Sequence, residues 1–504
     1  MKKFRFIFIL FTFIILSGRA FSTELVPTAD LLAAYLERDS DLQSAAIDYQ
    51  KAQLSNSNNQ IENGFDITLS TGKMLFRKTA DSSNFTVSPS VKATVPQASN
   101  LGISLSGDFS ITSEKTEAED LGINLSVDII SASALKRQIS LLKSERTVLE
   151  AKRKVENLAL SKEKEFYESL KSLLSQISSV IAKEQDLYED KISFEKIKAQ
   201  GYTKNSSSYR RAELAVMSDE HDIEKLVHSL KSDYRIFYIK CGQRLSLEDD
   251  IDFMTLVPSD IPTVEAVDIH SFNPEAFSQT ESAVWTNKIN SMIREADRNF
   301  SLAATSGFTF NNSSTNSNTI NLGLSSTIGG VTLSPSVNFP MGTDSFTPAV
   351  SLEASVNPNT FRKNAITKET YELEEQQEKM DIRNARISFG DKVSAQELEL
   401  SNLLWERTTN QENLSLYQSL ENDMANWYRQ GIVTESEYLS AKVNRQKCFV
   451  SQVSNLIEMI LYNDTTTALF VSDLRDSPWE RELRTPRENH KEAQNEGEKA
   501  QGEN

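Results

Sequence analysis

The chain has 504 residues with 54 lysines and arginines against 71 aspartates and glutamates, and its formal charge of −17 disfavours nucleic acid and anionic headgroups, which reward basic patches. A hydrophobic content of 38% with only 17 glycines and 12 prolines suits long helices with narrow apolar seams better than several thick globular cores. Two cysteines, Cys241 and Cys448, make neither a disulfide framework nor a metal site.

The N-terminus, MKKFRFIFILFTFIILSGRAFSTE, carries early basic residues, an apolar run from Phe6 to Leu16, and small residues Ala20 and Ser22 spaced for cleavage after Ser22. Residues 1–22 read as a secretory signal peptide, too short and wrongly flanked to remain as a spanning helix. No later stretch approaches eighteen apolar residues, so any membrane insertion must use strands.

The remainder reads as two copies of one design, residues 23–240 and 263–475, joined by a linker over 241–262. Aligning Gly201 with Gly431 pairs Leu170 with Leu400, Leu173 with Leu403, Leu230 with Ile460 and Gln200 with Gln430 at a constant offset. TVSPSVKATVP (86–96) is echoed by TLSPSVNFPM (332–341).

In chain order, the first copy is expected to hold a leading helix over 28–61, strands within 65–130, a long helix over 131–200 and a returning helix over 206–240. The second is expected to hold a helix over 263–300, strands within 304–356, a long helix over 359–430 and a returning helix over 434–474. Residues 476–504 are highly charged and should be disordered.

Period-2 alternation marks the strands. In 120–130, Leu121, Ile123, Leu125, Val127 and Ile129 share one face and Gly122, Asn124, Ser126 and Asp128 the other; 85–95, 101–111, 320–324, 331–339 and 346–356 alternate likewise. Such ten-residue segments fit a membrane barrel, and an antiparallel sheet with one wet face is the alternative. About four strands per copy are indicated. Phe166, Leu170, Leu173, Ile177 and Val180 follow coiled-coil spacing, as do Tyr417, Leu420, Met424 and Trp427. Seventy helical residues reach roughly 105 Å, far beyond the need of a compact domain.

The junctions LSVDIISASALKRQISLLKSERTVLEAK and LEASVNPNTFRKNAITKETYELEEQ, with the tips QGYTKNSSSYRRAELAV and QGIVTESEYLSAKVNRQ, resemble the TolC-like outer membrane factor family over residues 28–474. The resemblance implies an α+β membrane protein, a tandem-duplicated chain whose strands join one outer-membrane β-barrel and whose coiled-coil helices form a periplasmic α-helical tunnel, as a homotrimer. It implies a passive export duct in the cell outer membrane, extending into the periplasm, within a tripartite efflux or type I secretion system. The implied partners are a periplasmic adaptor (membrane fusion) protein, an inner-membrane transporter and outer-membrane lipid; nucleic acid and cofactors are not expected. A periplasmic coiled-coil scaffold without a channel is the rival reading.

The resemblance places the periplasmic tips, where an adaptor docks, at Gly201, Tyr202, Thr203, Gly431, Ile432, Val433 and Thr434. Glycine there ends one helix and a hydroxyl caps the next, with Thr434 and Glu437 spaced as a capping box; an ordinary helical hairpin would use the same residues. Family members narrow the tunnel entrance with acidic side chains just past the tip glycine, which here match Glu437, with Glu435 nearby. The equivalent position in the first copy is Ser207, and capping alone also accounts for Glu437. The family pattern has two strands per copy against about four here, which leaves open a wider shared barrel, a plug, or an eight-stranded barrel closed by one chain. No HExxH, P-loop, GxGxxG or GxSxG arrangement occurs, and the four histidines form no evident site, so an enzyme is not expected.

Overall fold

The computed structural model describes residues 26–474 apart from 73, 79–82, 96–99, 113–115, 131, 248–250, 298–299, 312–317, 329–330 and 342–346. The expected signal peptide and charged tail, the turns at 96–99 and 329–330, and the start of the expected strand at 346 lie outside the described residues. The chain divides into two compact units. One contains residues 45–155 and 274–390, and is built on a sheet; the other contains the described residues up to 44, 156–273 and 391 onward, and is helical.

In the sheet unit the strands are β1 (Asp66–Ser70), β2 (Met74–Lys78), β3 (Ser83–Val87), β4 (Ser90–Val95), β5 (Leu101–Thr112), β6 (Thr116–Ile130), β7 (Phe300–Asn311), β8 (Asn318–Ile328), β9 (Val331–Met341) and β10 (Ala349–Val356). All pairings are antiparallel, in the order β1-β4-β5-β6-β7-β8-β9-β10, with β2 on β3 and β3 also on β5. The single strand expected over 85–95 is interrupted, because Pro89 has no N–H for a ladder and its carbonyl instead accepts from the Gly107 amide at 3.0 Å. The two pieces, β3 and β4, lie end to end along β5. β1 and β2 break similarly around Gly72, whose φ of +63° and whose missing Cβ, 1.7 Å from the Ser88 carbonyl oxygen if present, both require glycine. The sheet therefore has eight spans, four from each repeat.

Pairing fixes two chemically distinct faces. Ile67 and Leu69 align with Ala93 and Val91, then Ile103 and Leu105, then Leu125 and Ile123, then Ser306 and Phe308, and on through Leu322 and Ile320 to Val337 and Phe339. The opposite face carries Ser104, Ser106, Gly122, Asn124, Thr305, Gly307, Asn321, Gly323, Ser336 and Ser351.

The same unit contains α5 (Ser278–Ala296), most of α2 (Ser40–Glu62), and the first parts of α3 (Ala132–Ala199) and α6 (Pro358–Arg429). Ile139 of α3 packs with Ile289 and Ala296 of α5, flanked by Trp285 and Met292. The helix expected over 263–300 is confined to α5. Ahead of it the Asn463 side chain brackets an extended segment, its Oδ1 accepting from the Val267 amide and its Nδ2 donating to the Glu265 carbonyl, both at 2.8 Å. Short 3₁₀ turns at Ile269–Ser271 and Pro274–Ala276 follow.

In the helical unit, Phe166, Leu170, Leu173, Ile177 and Val180 of α3 are buried, as coiled-coil spacing requires, among residues of α1 (Thr28–Arg38), α4 (Ser207–Lys240) and α7 (Glu435–Ala468). The expected helix over 28–61 is broken at Asp39, whose backbone is extended and whose Oδ1 accepts from the amides of Asp41 and Leu42 at 2.9 Å, capping α2. The second expected seam is not buried: Leu420 and Trp427 of α6 are exposed. Both cysteines are free, and burial pushes the Cys241 thiol up to about 12. No described helix is long and apolar enough to cross a membrane.

Candidate functional site: two helical tips and a two-faced sheet

At the first tip, α3 ends where the Gly201 amide donates to the Lys198 carbonyl at 3.0 Å, and Gly201 takes φ +81°. Thr203 does not cap; its carbonyl accepts from the Ser206 amide, and Ser206 Oγ then accepts from the Tyr209 amide to start α4. Tyr209 is buried edge-on against Phe194, which holds the two arms together. Tyr202 stays exposed.

The second tip is a Schellman ending. Gly431 at φ +72° donates to the Tyr428 carbonyl, and Ile432 donates to Trp427, both at 2.9 Å. Thr434 and Glu437 form the capping box: the Glu437 amide donates to Thr434 Oγ1 at 3.3 Å, and Glu437 Oε2 accepts from the Thr434 amide at 2.7 Å and hydroxyl at 2.8 Å. These bonds, the amide's first, hold the Glu437 carboxyl below its usual range, so it is ionised at neutral pH. Stacked Tyr428 and Tyr438 brace the turn at 5.8 Å between centroids, while Ile432 is exposed and Val433 half-buried.

Glu435 is placed differently from Glu437. It hydrogen-bonds Tyr188 of α3, whose phenol is raised by desolvation and by that carboxylate. Gln185 Nε2 donates to Ser440 Oγ at 3.2 Å, so α3 and α7 are neighbours just behind the tip. Spacing gave no access to these contacts, which join residues about 250 positions apart.

The polar sheet face carries a feature that alternation alone did not display. Each of its glycines lies beside a small polar side chain: a Cβ on Gly102 would meet Ser126 Oγ at 2.6 Å, on Gly307 Asn124 Oδ1 at 2.5 Å, and on Gly323 Thr305 Oγ1 at 2.6 Å. The polar side chains lean into the space the glycines leave, giving a low surface of small polar groups on which Lys92, Asp120, Asp128 and Glu353 are among the charged positions of the described strands. On the other face, Leu105, Ile123, Phe308 and Leu322 are exposed although they belong to interior strands. Among the described residues, no group of His, Cys, Asp and Glu has the arrangement to hold a metal ion.

Family models divide the chain as its two repeats do. The TP096X N-terminal domain matches residues 31–261, and the TP096X C-terminal domain matches residues 262–473. The chain belongs to the TP096X family. No curated protein matches it by sequence. Solved structures similar to this TP096X chain include CusC, described for its transmembrane channel formation, at 14% identity and TM-score 0.45 over 90% of this chain and 95% of CusC. The outer membrane protein VceC of Vibrio cholerae is similar at 12% and 0.43, over 88% and 99%. The CmeC outer membrane channel of Campylobacter jejuni is similar at 11% and 0.41, over 91% of each chain.

Proposed function

We propose that this TP096X protein is a TolC-like outer-membrane export duct. The observation that carries the reading is the two-faced sheet. Eight spans present one mainly apolar face with its side chains uncovered and one face chiefly of Ser, Thr, Asn and Gly, the division required where lipid lies on one side and water on the other. A soluble scaffold would have to cover the apolar face, and an exposed patch of that extent in water is an aggregation hazard.

Several copies line one passage, and the homotrimer implied by the sequence resemblance is the assembly proposed. Support comes from apolar stripes left exposed on single helices: Ile47, Leu54 and Ile61 on α2, and Leu373, Met380 and Ile387 on α6, each at heptad spacing. Substrate would be received from an inner-membrane transporter through a periplasmic adaptor, and would pass without chemistry. The adaptor would dock at the tips formed by Gly201, Tyr202, Thr203, Gly431, Ile432, Val433 and Thr434. Glu437, ionised and exposed, would narrow the entrance with negative charge, with Glu435 behind it.

The test is fractionation followed by conductance of the purified protein in planar bilayers. A duct enters the outer-membrane detergent fraction as a heat-modifiable oligomer and conducts; a protein that washes off as a water-soluble species and forms no pores is the scaffold. Glu437→Gln should weaken cation preference. An unchanged preference discards the constriction and leaves the duct.

A further inference from the structure

The two helices that leave the sheet open with charge of the wrong sign for a helix. A helix N-terminus favours acids, and α1, α2, α5 and α7 each carry one in the first turn. α3 and α6 carry none there. Instead, Lys136, Arg137 and Lys143 precede the first acid of α3, Glu145, and Arg362, Lys363 and Lys368 precede the first acid of α6, Glu369. In both repeats a basic dipeptide stands six and seven residues past the last strand residue, Ile130 or Val356. In a chain of charge −17 these two openings are a segregated basic patch that the helices themselves do not reward. Local partners do not account for it either. Lys136 lies 3.5 Å from Asp297 and Lys368 lies 3.9 Å from Glu372, but both lysines are well exposed, and such pairs contribute little in water. Arg362 and Lys363 are exposed and form no ion pair among the described residues. Arg137 differs: its Nη1 donates to Asn100 Oδ1 at 2.7 Å, and Asn100 Nδ2 donates to Asp128 Oδ2 at 2.7 Å.

Resting on the duct reading, we infer that Lys136, Lys143, Arg362, Lys363 and Lys368 form a collar that holds the phosphate headgroups of anionic phospholipids in the membrane leaflet nearest the helices. The place of these residues in the fold names the partner. Ile129 and Val356, at the helix-side ends of β6 and β10, are exposed at 52% and 61%, and Phe361 and Ile366 carry exposed apolar surface on into α6. Apolar surface that ends in lysine and arginine matches a lipid read from acyl chain to phosphate. The long stems of these side chains lie along apolar surface while their charges reach the headgroup layer, and anionic lipid attracts basic segments placed there. Lys136 and Lys143, seven apart on α3, share one helix face. β6 and β10 are separated by four pairings, roughly 19 Å at the usual strand spacing, so the two openings engage different lipid molecules. The negative charge that disfavours anionic surfaces over the whole chain is thus reversed where the sheet passes into the helices.

Lipid selectivity of the full-length protein in phosphatidylcholine vesicles tests the collar. Trace spin-labelled phosphatidylglycerol or phosphatidylcholine is added, and electron paramagnetic resonance reads the fraction of each label immobilised at the protein. Wild type should prefer phosphatidylglycerol by roughly fivefold, the worth of one basic residue at an anionic surface. The preference should fall several-fold between about 0.05 and 0.5 M salt. Arg362→Gln with Lys363→Gln should lower it, and adding Lys136→Gln and Lys143→Gln should bring the two lipids close to equal, with the circular-dichroism midpoint and the immobilised phosphatidylcholine unchanged. Should the fourfold variant lose its midpoint, the Arg362 and Lys363 pair alone decides. Lys225→Gln with Arg235→Gln on α4 should keep the wild-type preference. The collar is overturned if wild type shows no preference, if the collar variants retain it in full, or if the α4 variant loses as much. Those results leave the duct standing so long as label is immobilised and pores form; a protein that immobilises neither label and forms no pores removes the duct and the collar with it.

Discussion

Arg294 of α5 donates both terminal nitrogens to the carboxylate of Glu378 on α6, at 2.8 and 2.7 Å, and Asn290 Nδ2 adds a third bond at 2.9 Å. On its other side α5 presents Glu281, which accepts from Arg146 and Arg153 of α3. The short helix that leads the second repeat is thus clamped to both long helices by bidentate pairs with little access to water. Truncating one partner strands the other's charge. Glu378→Ala should cost on the order of 2–4 kcal/mol at neutral pH, toward the lower part of the buried-pair range because some water contact remains. Thermal unfolding of the helical circular-dichroism signal in detergent measures it. The arginine's hydrogen bonds hold Glu378 below the usual carboxylate range, so this stability is present above that range and is lost as pH falls through the lowered value. The gap between wild type and variant should therefore shrink in acid.

The tip glycines predict a purely backbone effect. Nothing lies within 4 Å of a Cβ placed on Gly201 or Gly431, yet both have left-handed φ. Gly201→Ala and Gly431→Ala should each cost about 1 kcal/mol from strain alone, and Asn at either position less. Thermal midpoints of the four variants decide it. A larger loss at Gly431 than at Gly201 would mean that the Schellman bonds of the second tip are cooperative with the capping box behind it.

The exposed stripe on α6 separates folding from assembly. Met380 is 56% exposed between Leu373 and Ile387, so Met380→Glu should leave the thermal midpoint of the single chain nearly unchanged while shifting the proposed oligomer toward monomer. Sedimentation in detergent reads the assembly and circular dichroism the fold. An oligomer that survives Leu373→Glu and Met380→Glu together would exclude this stripe from any interface.

Much of this organisation was legible from local pattern. Alternation located the strands because one side-chain face per strand must be apolar whether the sheet meets lipid or core. The glycines at 201 and 431, with the hydroxyl and acid after the second, marked turns governed by a few neighbouring bonds. What sequence missed depends on distant partners or on single atoms. The extended run before α5 is held by Asn463 of α7, about 200 positions away, and nothing near Glu265 or Val267 announces it. The break at Asp39 turns on one carboxylate oxygen choosing the next helix's amides over continuation. Pro89 interrupts a span while its counterpart Pro335 lies within β9, where the pairing with β8 skips from Ser336 to Leu333 and the pairing with β10 runs on through Leu352↔Pro335. Coiled-coil spacing on α6 was visible, but spacing does not say whether the partner belongs to the same chain.

A carboxyl pair, Asp464 buried and Glu163 half-buried, gives the last prediction. Asp464 of α7 is 4% exposed, and its Oδ2 makes no hydrogen bond. Burial raises its carboxyl, the facing Glu163 of α3 adds to that, and Lys164 opposes it. Burial likewise raises Glu163 to about 7, and the Tyr167 phenol is raised by burial and by Glu163, Asp464 and Asp260. Both carboxyls thus bind protons more tightly folded than unfolded. A group with a raised folded value stabilises fully below its unfolded value, and that stability is lost as pH rises toward the folded one. For Glu163 the window opens near the ordinary carboxylate range and closes near 7, and Asp464 reinforces the same slope. The wild-type thermal midpoint should fall between pH 5 and pH 8, with a loss on the order of 2 kcal/mol. Asp464→Asn removes one charge and relieves its neighbour, so its midpoint should be flatter over that window and higher than wild type at pH 8. If wild type and Asp464→Asn keep parallel profiles from pH 5 to pH 8, the pair is not where the proton is held.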